Sequence, residues 1–430
     1  MSGAQKRAMA VLDQMNGDDS PFDSLFVNCV VATMSEDCKS EYGLLEEVDA
    51  CIGVRNGKIS YVGSRAKLSS KAVPPPEGIV DLEGGLVTPG LIDCHSHILY
   101  GGNRSTEWAL KLKGASYEEV AKAGGGIVNT VDGTRKVTAD ELVQLATPRI
   151  KALLREGVTT MELKSGYGLD EATERKQLQA ANKVGEDFDL NVVKTFLGAH
   201  AIPREFSGRT DDYVSTVVEM MPKLAEEGLI DCVDAFMESI AFNEQQTARV
   251  FDAATKLGIR VRLHGDQLNN LECGAFVAKY KGLSCDHCEY TSEASVKAMA
   301  ASDSVAVLLP TANYFIRETK MPPVEAFRSA GVKMALGTNC NPGSSPCCSI
   351  LLVLNMACTR FRMTPEEALL GVTRNAAHAL GKGESLGTIE VGKQADLAVW
   401  SCTNPCDLAY YLGLNQLKAA YVAGKQRFVD

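Results

Sequence analysis

Five of the six histidines in this 430-residue chain close apolar runs that have the length of β-strands. They are His95, His97, His200, His264 and His287. An imidazole can ligate a metal ion and can transfer a proton near neutral pH. Alternation along a strand puts His95 and His97 on the same side, so that both rings can bind one ion. The five histidines therefore predict a metal-dependent hydrolase site, whereas His378 has no such setting.

The elements that must position these histidines follow Gly85, where eight apolar runs alternate with longer amphipathic stretches. The runs are 86–94, 158–163, 191–197, 230–237, 259–263, 283–286, 305–309 and 332–337. Repeated βα units predict a parallel sheet, and eight of them in about 250 residues match a (β/α)8 TIM-type barrel of the α/β class. Active-site residues of such barrels follow the C-terminal ends of the strands, which is where the histidines lie.

Both ends of the chain have β-type patterns. Runs at 26–34, 50–55 and 58–62 precede the barrel, and Asn56-Gly57 is a strong hairpin signal. A β segment at 387–400 and another at 419–429 follow the barrel. We expect residues 22–84 and 384–430 to form one small β-sandwich domain beside a barrel at 85–383. Residues 1–21 are polar and predict a loose leader.

Composition excludes several classes of function. The net charge of −10 and the absence of a block rich in Lys and Arg disfavour nucleic acid as a partner. No run reaches the roughly 18 to 20 apolar residues of a membrane helix, and the N-terminus has no apolar signal core, so we expect no membrane partner and a cytoplasmic location.

Fourteen cysteines are too few for a disulfide scaffold in a chain of this length. Cys285 and Cys288 lack the second pair that a structural zinc site needs.

Several segments together resemble a known family. They are the segment with two histidines at 87–97, Gly-Gly-Asn-Arg at 101–104, Ala-Gly-Gly-Gly-Ile at 123–127, Lys-Ser-Gly-Tyr-Gly-Leu-Asp at 164–170, Gly-Ala-His at 198–200, Asn-Pro-Gly-Ser-Ser-Pro at 341–346 and Glu-Val-Gly-Lys at 390–393. In these segments the chain resembles the amidohydrolase superfamily. Within it, the triple-glycine segment and those at 164–170 and 341–346 are similar to the enzymes that hydrolyse the cyclic amide of 4-imidazolone-5-propanoate to N-formimidoyl-L-glutamate in histidine degradation.

The resemblance implies a small-molecule substrate, a homodimer and one Zn²⁺ or Fe ion that acidifies a bound water. The implied metal ligands are His95, His97, His264 and Asn339. The implied catalytic residues are His287, Gln267 and Asn339. The implied substrate-binding residues are Arg104, Tyr167, His200, Gln267, Asn341, Gly343 and Ser344. Among them, an arginine suits the propanoate group because its guanidinium can bind a carboxylate through two hydrogen bonds.

Two positions depart from the simplest pattern of that family. Gln267 stands where many members have Glu, and Asn339 stands where Asp is usual. An Asn side chain can offer a carbonyl oxygen to an ion, but it brings no negative charge and cannot act as a base. Three outcomes are open: a weakened enzyme, an enzyme that uses His287 or another group as base, or a barrel that binds ligand without turning it over.

A related amidohydrolase that acts on another ring is a second enzyme hypothesis. A cytosine or guanine deaminase would fit the same metal site. It would leave Arg104, Tyr167 and the segment at 341–346 without a function.

Overall fold

The computed structural model describes residues 20–114 and 125–427. Most of the predicted polar leader, residues 123–124 of the triple-glycine segment and the last two positions of the run predicted at 419–429 lie outside the described residues.

The strands of the described chain fall into two small sheets and one barrel. In chain order they are β1 Ser24–Val27, β2 Val30–Val31, β3 Ala50–Arg55, β4 Lys58–Ser64, β5 Ile79–Asp81, β6 Leu86–Pro89, β7 Leu91–Asp93, β8 Val158–Lys164, β9 Asn191–Ala199, β10 Cys232–Met237, β11 Arg260–Val261, β12 Leu263–Gly265, β13 Ser284–His287, β14 Val305–Leu308, β15 Met334–Leu336, β16 Leu397–Trp400, β17 Leu417–Val422 and β18 Lys425–Arg427.

Strands β7 to β15 form the barrel. The order along the sheet is β7-β8-β9-β10-β12-β13-β14-β15, and β11 pairs with β10 just before β12 does. Strands β11 and β12 therefore make up one position, which gives eight positions in all. Every pairing is parallel. The predicted (β/α)8 barrel is confirmed.

Helices cover the outside of the barrel. In chain order they are α1 Ser105–Leu112, α2 Ile127–Lys136, α3 Ala139–Leu154, α4 Glu171–Phe188, α5 Thr210–Glu226, α6 Glu244–Lys256, α7 Cys273–Lys279, α8 Glu293–Ser302, α9 Pro310–Phe315, α10 Val324–Ala330, α11 Ile350–Phe361, α12 Pro365–Gly371, α13 Arg374–Ala379 and α14 Asp407–Tyr410. Local sequence explains several starts: Thr138 and Glu141 form a capping box at α3, as do Thr364 and Glu367 at α12. Within the described ranges, no helix is long and apolar enough to cross a bilayer.

The ends of the first and eighth strands close the barrel. A parallel bridge joins Ser96 to Cys340. The backbone N–H of Asn339 donates to the carbonyl of His95 at 2.8 Å, and the N–H of His97 donates to the carbonyl of Cys340 at 3.1 Å. Two of the strand-end histidines, His95 and His97, therefore take part in the backbone bonds that close the barrel.

A buried carboxylate supports this closure from below. Asp93 accepts hydrogen bonds from the backbone N–H of Thr338 at 3.0 Å and from its hydroxyl at 2.6 Å. Burial raises the pKa of Asp93 to about 6, although the two bonds from Thr338 oppose the rise. The side-chain pair thus ties the first strand to the end of the eighth.

The small β-domain contains strands from both ends of the chain. One sheet has the order β4-β3-β1-β5 and the other has the order β18-β17-β16-β6-β2. Buried side chains from both sheets share one core, among them Phe26, Ile52, Val87, Leu397 and Tyr421. This arrangement confirms the predicted β-sandwich of the two chain ends. Asn56 and Gly57 both have positive φ, 49° and 73°, as the predicted hairpin between β3 and β4 requires.

Several predicted strands have different bounds in the structure. The predicted run at 86–94 is two strands: β6 pairs with β16 in the small sheet, and only β7 belongs to the barrel. The chain crosses between them at Gly90, where an added Cβ would lie 2.2 Å from the hydroxyl oxygen of Thr159. The run at 26–34 is likewise split, because Asn28 has a φ of 53°. Of the β segment predicted at 387–400, only β16 is a strand, and the run predicted at 419–429 is the hairpin of β17 and β18.

We expect the substitution Thr338→Val to lower the free energy of unfolding by about 2 kcal/mol, because it leaves a buried oxygen of Asp93 without a donor. It also removes the oxygen that accepts from the N–H of Cys340 at 3.1 Å. Urea denaturation measures the change. The control is Thr338→Ser, which keeps the hydroxyl and should stay within about 1 kcal/mol of the parent protein. An unchanged free energy of unfolding in Thr338→Val would contradict the contribution of the hydroxyl.

Candidate active site

Four imidazoles meet at the C-terminal mouth of the barrel. The Nε2 atom of His97 lies 3.3 Å from Nε2 of His95 and 3.2 Å from Nε2 of His264. One ligand atom from each of His95, His264 and His287 also lies within 4.8 Å of the others. All four residues are at most 3% exposed. The structure therefore brings together histidines that are almost 200 positions apart in the sequence.

Two carboxylates set the orientation of the rings. Nδ1 of His95 lies 2.6 Å from Oδ2 of Asp286, and Nδ1 of His264 lies 2.9 Å from Oδ2 of Asp234. Burial favours the protonated form of Asp234, but His264 and Lys164 outweigh it and hold the pKa of Asp234 well below its usual range. Because a carboxylate only accepts, each Nδ1 carries the proton and each Nε2 presents a lone pair.

The geometry of the nitrogens fits one metal ion. His97 places its Nε2 between the Nε2 lone pairs of His95 and His264, and a single proton on His97 can satisfy only one of them. A tetrahedral ion with bonds of about 2.0 to 2.1 Å to nitrogen holds two ligand nitrogens about 3.3 Å apart. The observed separations of 3.3 and 3.2 Å agree with that value. The cluster and the chemistry of its donors indicate a metal cofactor.

A fully buried set of charges lies directly behind the histidines. We call Glu162, Lys164, Asp234, Arg262 and Asp286 the interior ionic cluster; each of these side chains is 0% exposed. The ammonium of Lys164 lies 2.9 Å from Glu162 and 2.7 Å from Asp234. The guanidinium of Arg262 lies 2.7 Å from Glu162 and also contacts Asp286. Three carboxylates against two cations leave one net negative charge beside the metal site.

Burial keeps His95, His97 and His287 neutral. It lowers the pKa of His95 well below the usual range, and the charge of Lys164 adds to the effect. Burial and the neighbouring His200 do the same for His97. Burial also lowers the pKa of His287 well below its usual range. Neutral imidazoles at neutral pH have the lone pairs that metal ligation and proton acceptance require.

Residues at the strand ends adopt strained backbone conformations. His287 has a φ of 86°, Cys288 of 68°, Asn339 of 50° and Asp266 of 51°. Residues other than glycine rarely adopt such values, and those that do concentrate at functional sites. Nδ1 of His287 is buried and has no hydrogen-bond partner among the described residues. Nδ1 of His287 is therefore available, as is Nδ1 of His97, whereas Nδ1 of His95 and Nδ1 of His264 each face a carboxylate.

His200 and Tyr167 form a wall beside this cluster. Nδ1 of His200 lies 2.9 Å from the carbonyl of Gly166 and donates to it, so its Nε2 is left as an acceptor. The ring of His200 stacks on His97 with centroids 5.2 Å apart, and burial lowers its pKa to about 4. The Tyr167 ring lies 5.3 Å from that of His200. Burial raises the pKa of the Tyr167 phenol, and Arg104 is close enough to oppose the rise.

Arg104 is held in one orientation by a carboxylate. Its Nε and Nη2 donate to the two oxygens of Glu107 at 2.8 and 2.7 Å. Glu107 is 7% exposed and also binds the ammonium of Lys111 at 2.7 Å and the N–H of Gly126 at 2.8 Å. On the other side, a Cβ on Gly343 would lie 2.3 Å from Nη1 of Arg104. One edge of the guanidinium is therefore occupied, and its end is packed against the loop that follows the eighth strand.

The predicted substrate-binding residues of that loop form hydrogen bonds with one another in the structure. The side-chain oxygen of Asn341 accepts from the N–H groups of Gly343 and Ser344, both at 2.8 Å. Its amide nitrogen donates to the carbonyl of Asn339 at 2.7 Å and to the hydroxyl of Ser344 at 3.0 Å. Asn341 thus shapes the loop with both ends of its amide. The substrate contacts predicted for these residues stay predictions.

Gln267 follows the fifth strand position, as predicted, and its backbone is fixed there. Its N–H and that of Leu268 donate to one oxygen of Glu238, at 2.8 and 2.9 Å. The side chain of Gln267 is 9% exposed at the mouth of the barrel. Its predicted catalytic and binding roles stay predictions.

Sequence reasoning did not identify the charged partners of the functional side chains. Asp234 lies inside an otherwise apolar strand, Glu162 lies in the buried strand β8, and Arg262 lies between β11 and β12. A charge in such a buried segment must be paired. That pattern was the available signal for the interior ionic cluster. Glu107 had a weaker signal, its position three residues after Arg104 at the start of a helix.

Solved structures of other proteins share this fold. A triazine hydrolase from Arthrobacter aurescens superimposes with a TM-score of 0.73 at 18% identity, covering 94% of both chains. An adenosine deaminase from Xanthomonas campestris with bound zinc has a TM-score of 0.67 at 21% identity, covering 95% of this chain and 93% of that chain. These similarities establish the architecture of a barrel with a composite β-domain.

Sequence comparison identifies the family of the protein. The profile of the amidohydrolase family matches residues 86–427. The imidazolonepropionase of Methylobacterium nodulans is 52% identical over 404 residues, which cover 94% of this chain and 99% of that protein. The imidazolonepropionase of Bradyrhizobium diazoefficiens is 52% identical over 397 residues, covering 92% and 97%. The chain is an amidohydrolase, and within that class it belongs to the imidazolonepropionase family.

We expect Asp286→Asn to weaken metal binding by about 10- to 100-fold, because the variant loses the charge that fixes the tautomer of His95. Competition with a chelator of known affinity, followed by elemental analysis of the protein, measures the change. Ser284→Ala is the control, since it removes one donor to Asp286 but keeps the contact with His95. Unchanged metal affinity in Asp286→Asn would contradict the role of this carboxylate.

Proposed function

We propose that the protein hydrolyses the cyclic amide bond of 4-imidazolone-5-propanoate to give N-formimidoyl-L-glutamate in histidine degradation. The observation that carries this function is the buried histidine cluster, fitted to one metal ion and accompanied by an arginine held in a fixed orientation. A substrate with a ring carbonyl and a carboxylate needs both features. The identity of 52% to imidazolonepropionases over almost the whole chain supports the same activity.

We assign the carboxylate of the substrate to Arg104. Glu107 occupies the Nε edge of the guanidinium, so the remaining N–H groups of Nη1 and Nη2 are the ones that can bind a second carboxylate. A cavity of about 290 Å³ adjoins Arg104 and Gly343. Lys111, Arg317 and Glu107 also line it, so three cations against one carboxylate give the cavity a net positive charge that favours entry of an anion.

We assign the metal to His95, His97 and His264, with the side-chain oxygen of Asn339 as a fourth donor. Mixed nitrogen and oxygen donors suit zinc and iron alike. When bound, such an ion supplies positive charge that acidifies water and polarises a carbonyl group. The interior ionic cluster supports that ion with its one net negative charge.

We assign the proton transfer to His287. Asn339 has no basic group, whereas His287 is neutral and has a buried Nδ1 without a partner among the described residues. In this mechanism His287 accepts a proton as a water molecule attacks the ring carbonyl carbon, and it then donates that proton to the ring nitrogen as the carbon–nitrogen bond breaks. Tyr167 and His200 close one side of the site and orient the ring.

A deaminase of the same fold is a poorer explanation of the site. A purine or pyrimidine base has no carboxylate to occupy Arg104. The guanine deaminase of Escherichia coli superimposes with a TM-score of 0.69, but it shares only 17% identity with this chain. The hypothesis of a ligand-binding protein without turnover rests on Asn339 alone, and a measurement of turnover tests it.

Arg104→Gln should raise KM by about 10- to 100-fold, because a hydrogen bond to a charged group contributes about 1.5 to 3 kcal/mol. Gly343→Ala should change KM in the same direction, since the added methyl displaces the guanidinium. Steady-state kinetics on enzymatically generated substrate gives both values, and elemental analysis should show the metal content of the parent. Arg317→Gln, at the exposed rim of the same cavity, is the control; it removes a charge without the proposed carboxylate contact and should raise KM less than Arg104→Gln. Loss of metal with an unchanged KM would remove Arg104 from the carboxylate role.

A double-mutant comparison tests the base. We expect the parent protein to hold about one ion and to turn over, and His287→Asn to lower kcat by about 100-fold or more. In the Asn339→Asp background the same change should cost less, because the introduced carboxylate can accept the proton.

Two results of that comparison would contradict the proposed function. A metal-loaded parent that is silent while Asn339→Asp turns over identifies a ligand-binding protein. Absence of metal from both the parent and Asn339→Asp would contradict the proposed metal site.

A further inference from the structure

Two thiols face each other at the ends of the loop that follows the eighth strand. The Sγ atoms of Cys340 and Cys348 are 3.6 Å apart. Cys340 is 0% exposed, whereas Cys348 is half-buried. The residues between them include Asn341, Gly343 and Ser344, whose backbone and side chains form the loop beside Arg104.

The loop backbone keeps the two thiols close together. An antiparallel bridge joins Asn341 to Ser345, and the N–H of Asn341 donates to the carbonyl of Ser345 at 2.8 Å. Beyond the loop, the hydroxyl of Ser349 donates to Glu156 at 2.8 Å and caps the helix that begins at Ile350. Both thiols thus lie on segments that are fixed by other contacts.

Other thiols of the chain differ from this pair. The described residues contain no disulfide. Cys285 and Cys288 are both fully buried, so an external reagent cannot reach either one in the folded protein. Cys347 is half-buried, but its thiol is directed to the carbonyl of Ser349 at 3.5 Å. The pair at 340 and 348 combines close approach with access from one side.

We propose that Cys340 and Cys348 are a site of reversible disulfide formation that links the active-site loop to the thiol redox state of its surroundings. The oxidant is a small disulfide of the glutathione type. The thiolate of Cys348 attacks one sulfur of that molecule, forms a mixed disulfide and releases the first small thiol. Cys340 then gives up its proton and attacks the Cys348 sulfur, which releases the second. Two protein thiols are oxidised and one external disulfide is reduced to two thiols.

The new bond would disturb the active site. A disulfide is about 2.05 Å long, so the sulfurs must approach by about 1.5 Å from their separation of 3.6 Å. The carbonyl of Cys340 accepts from the N–H of His97, and Asn339 is its neighbour in the chain. Movement of Cys340 therefore shifts the proposed metal ligands and the loop beside Arg104. Turnover should fall; this consequence rests on the proposed function, whereas formation of the disulfide does not.

The test treats the metal-loaded, reduced protein with oxidised glutathione and then alkylates the remaining thiols. Trypsin cuts after Lys333 and Arg360 and releases one peptide that contains both cysteines. We expect two fewer alkylated cysteines in this peptide after oxidation. Apart from the alkyl groups, the peptide should weigh about 2 Da less than the reduced peptide, because the disulfide lacks two hydrogens. Fragmentation of the peptide identifies the bonded pair, and kcat should fall at least fivefold and recover with dithiothreitol.

Variants separate the pair from its neighbours. Cys347→Ser should still form the bond, because its own thiol is not part of the pair. Cys348→Ser should not form it and should keep its activity under the same oxidation. Cys285 and Cys288 should remain reduced in every sample.

Three outcomes would overturn parts of the inference. A stable adduct of glutathione on Cys348, or full alkylation of both thiols, would show that the pair does not close. A complete cross-link with unchanged kcat would remove the link to the active site. Inactivity of the fully reduced, metal-loaded protein would count against the proposed function, while the mass of the peptide would still decide whether the disulfide forms.

Discussion

The site depends on the pairing of charges that have no access to water. An ionised side chain in the interior is very unfavourable unless opposite charges and hydrogen bonds compensate it. The interior ionic cluster meets this requirement with three carboxylates and two cations that are all 0% exposed. Two of those carboxylates, Asp234 and Asp286, extend the compensation to His264 and His95. The same contacts therefore compensate the buried charges and set the orientation of the His95 and His264 rings.

Closure of the barrel imposes a second constraint on the same region. The end of the eighth strand bonds to the end of the first, so that Asn339 and His95 are neighbours through their backbones. The strained φ values at His287 and Asn339 follow from turning each chain sharply away from a strand while the side chain stays in the mouth. The loop beyond Asn339 then folds around the amide of Asn341 and meets Arg104 at Gly343. The proposed metal ligands, the loop and the arginine proposed to bind the substrate carboxylate thus form one connected unit.

Asn339 is the position at which the sequence departs from the pattern expected of its family. An amide at this position removes a negative charge and a base, while the net charge of the interior ionic cluster remains negative. His287 has the properties that the lost carboxylate would have supplied for proton transfer: it is neutral, buried and has a nitrogen without a partner among the described residues. These properties support the proposed role of His287 as the proton acceptor.

The sequence by itself determined the elements of the barrel and the residues at their ends, because apolar runs and strand-end histidines are local patterns. Through a motif it also predicted Arg104 as a substrate-binding residue, and this role stays a prediction. Only the tertiary structure decided that the chain passes from one sheet to another at Gly90, that Asp234 and Asp286 hold the histidines, and that Glu107 fixes Arg104. Each of these depends on a close approach or a charge pair whose geometry the folded chain creates, often between distant positions. Local sequence encodes the presence of those groups, whereas their distances follow from the packing of the whole barrel.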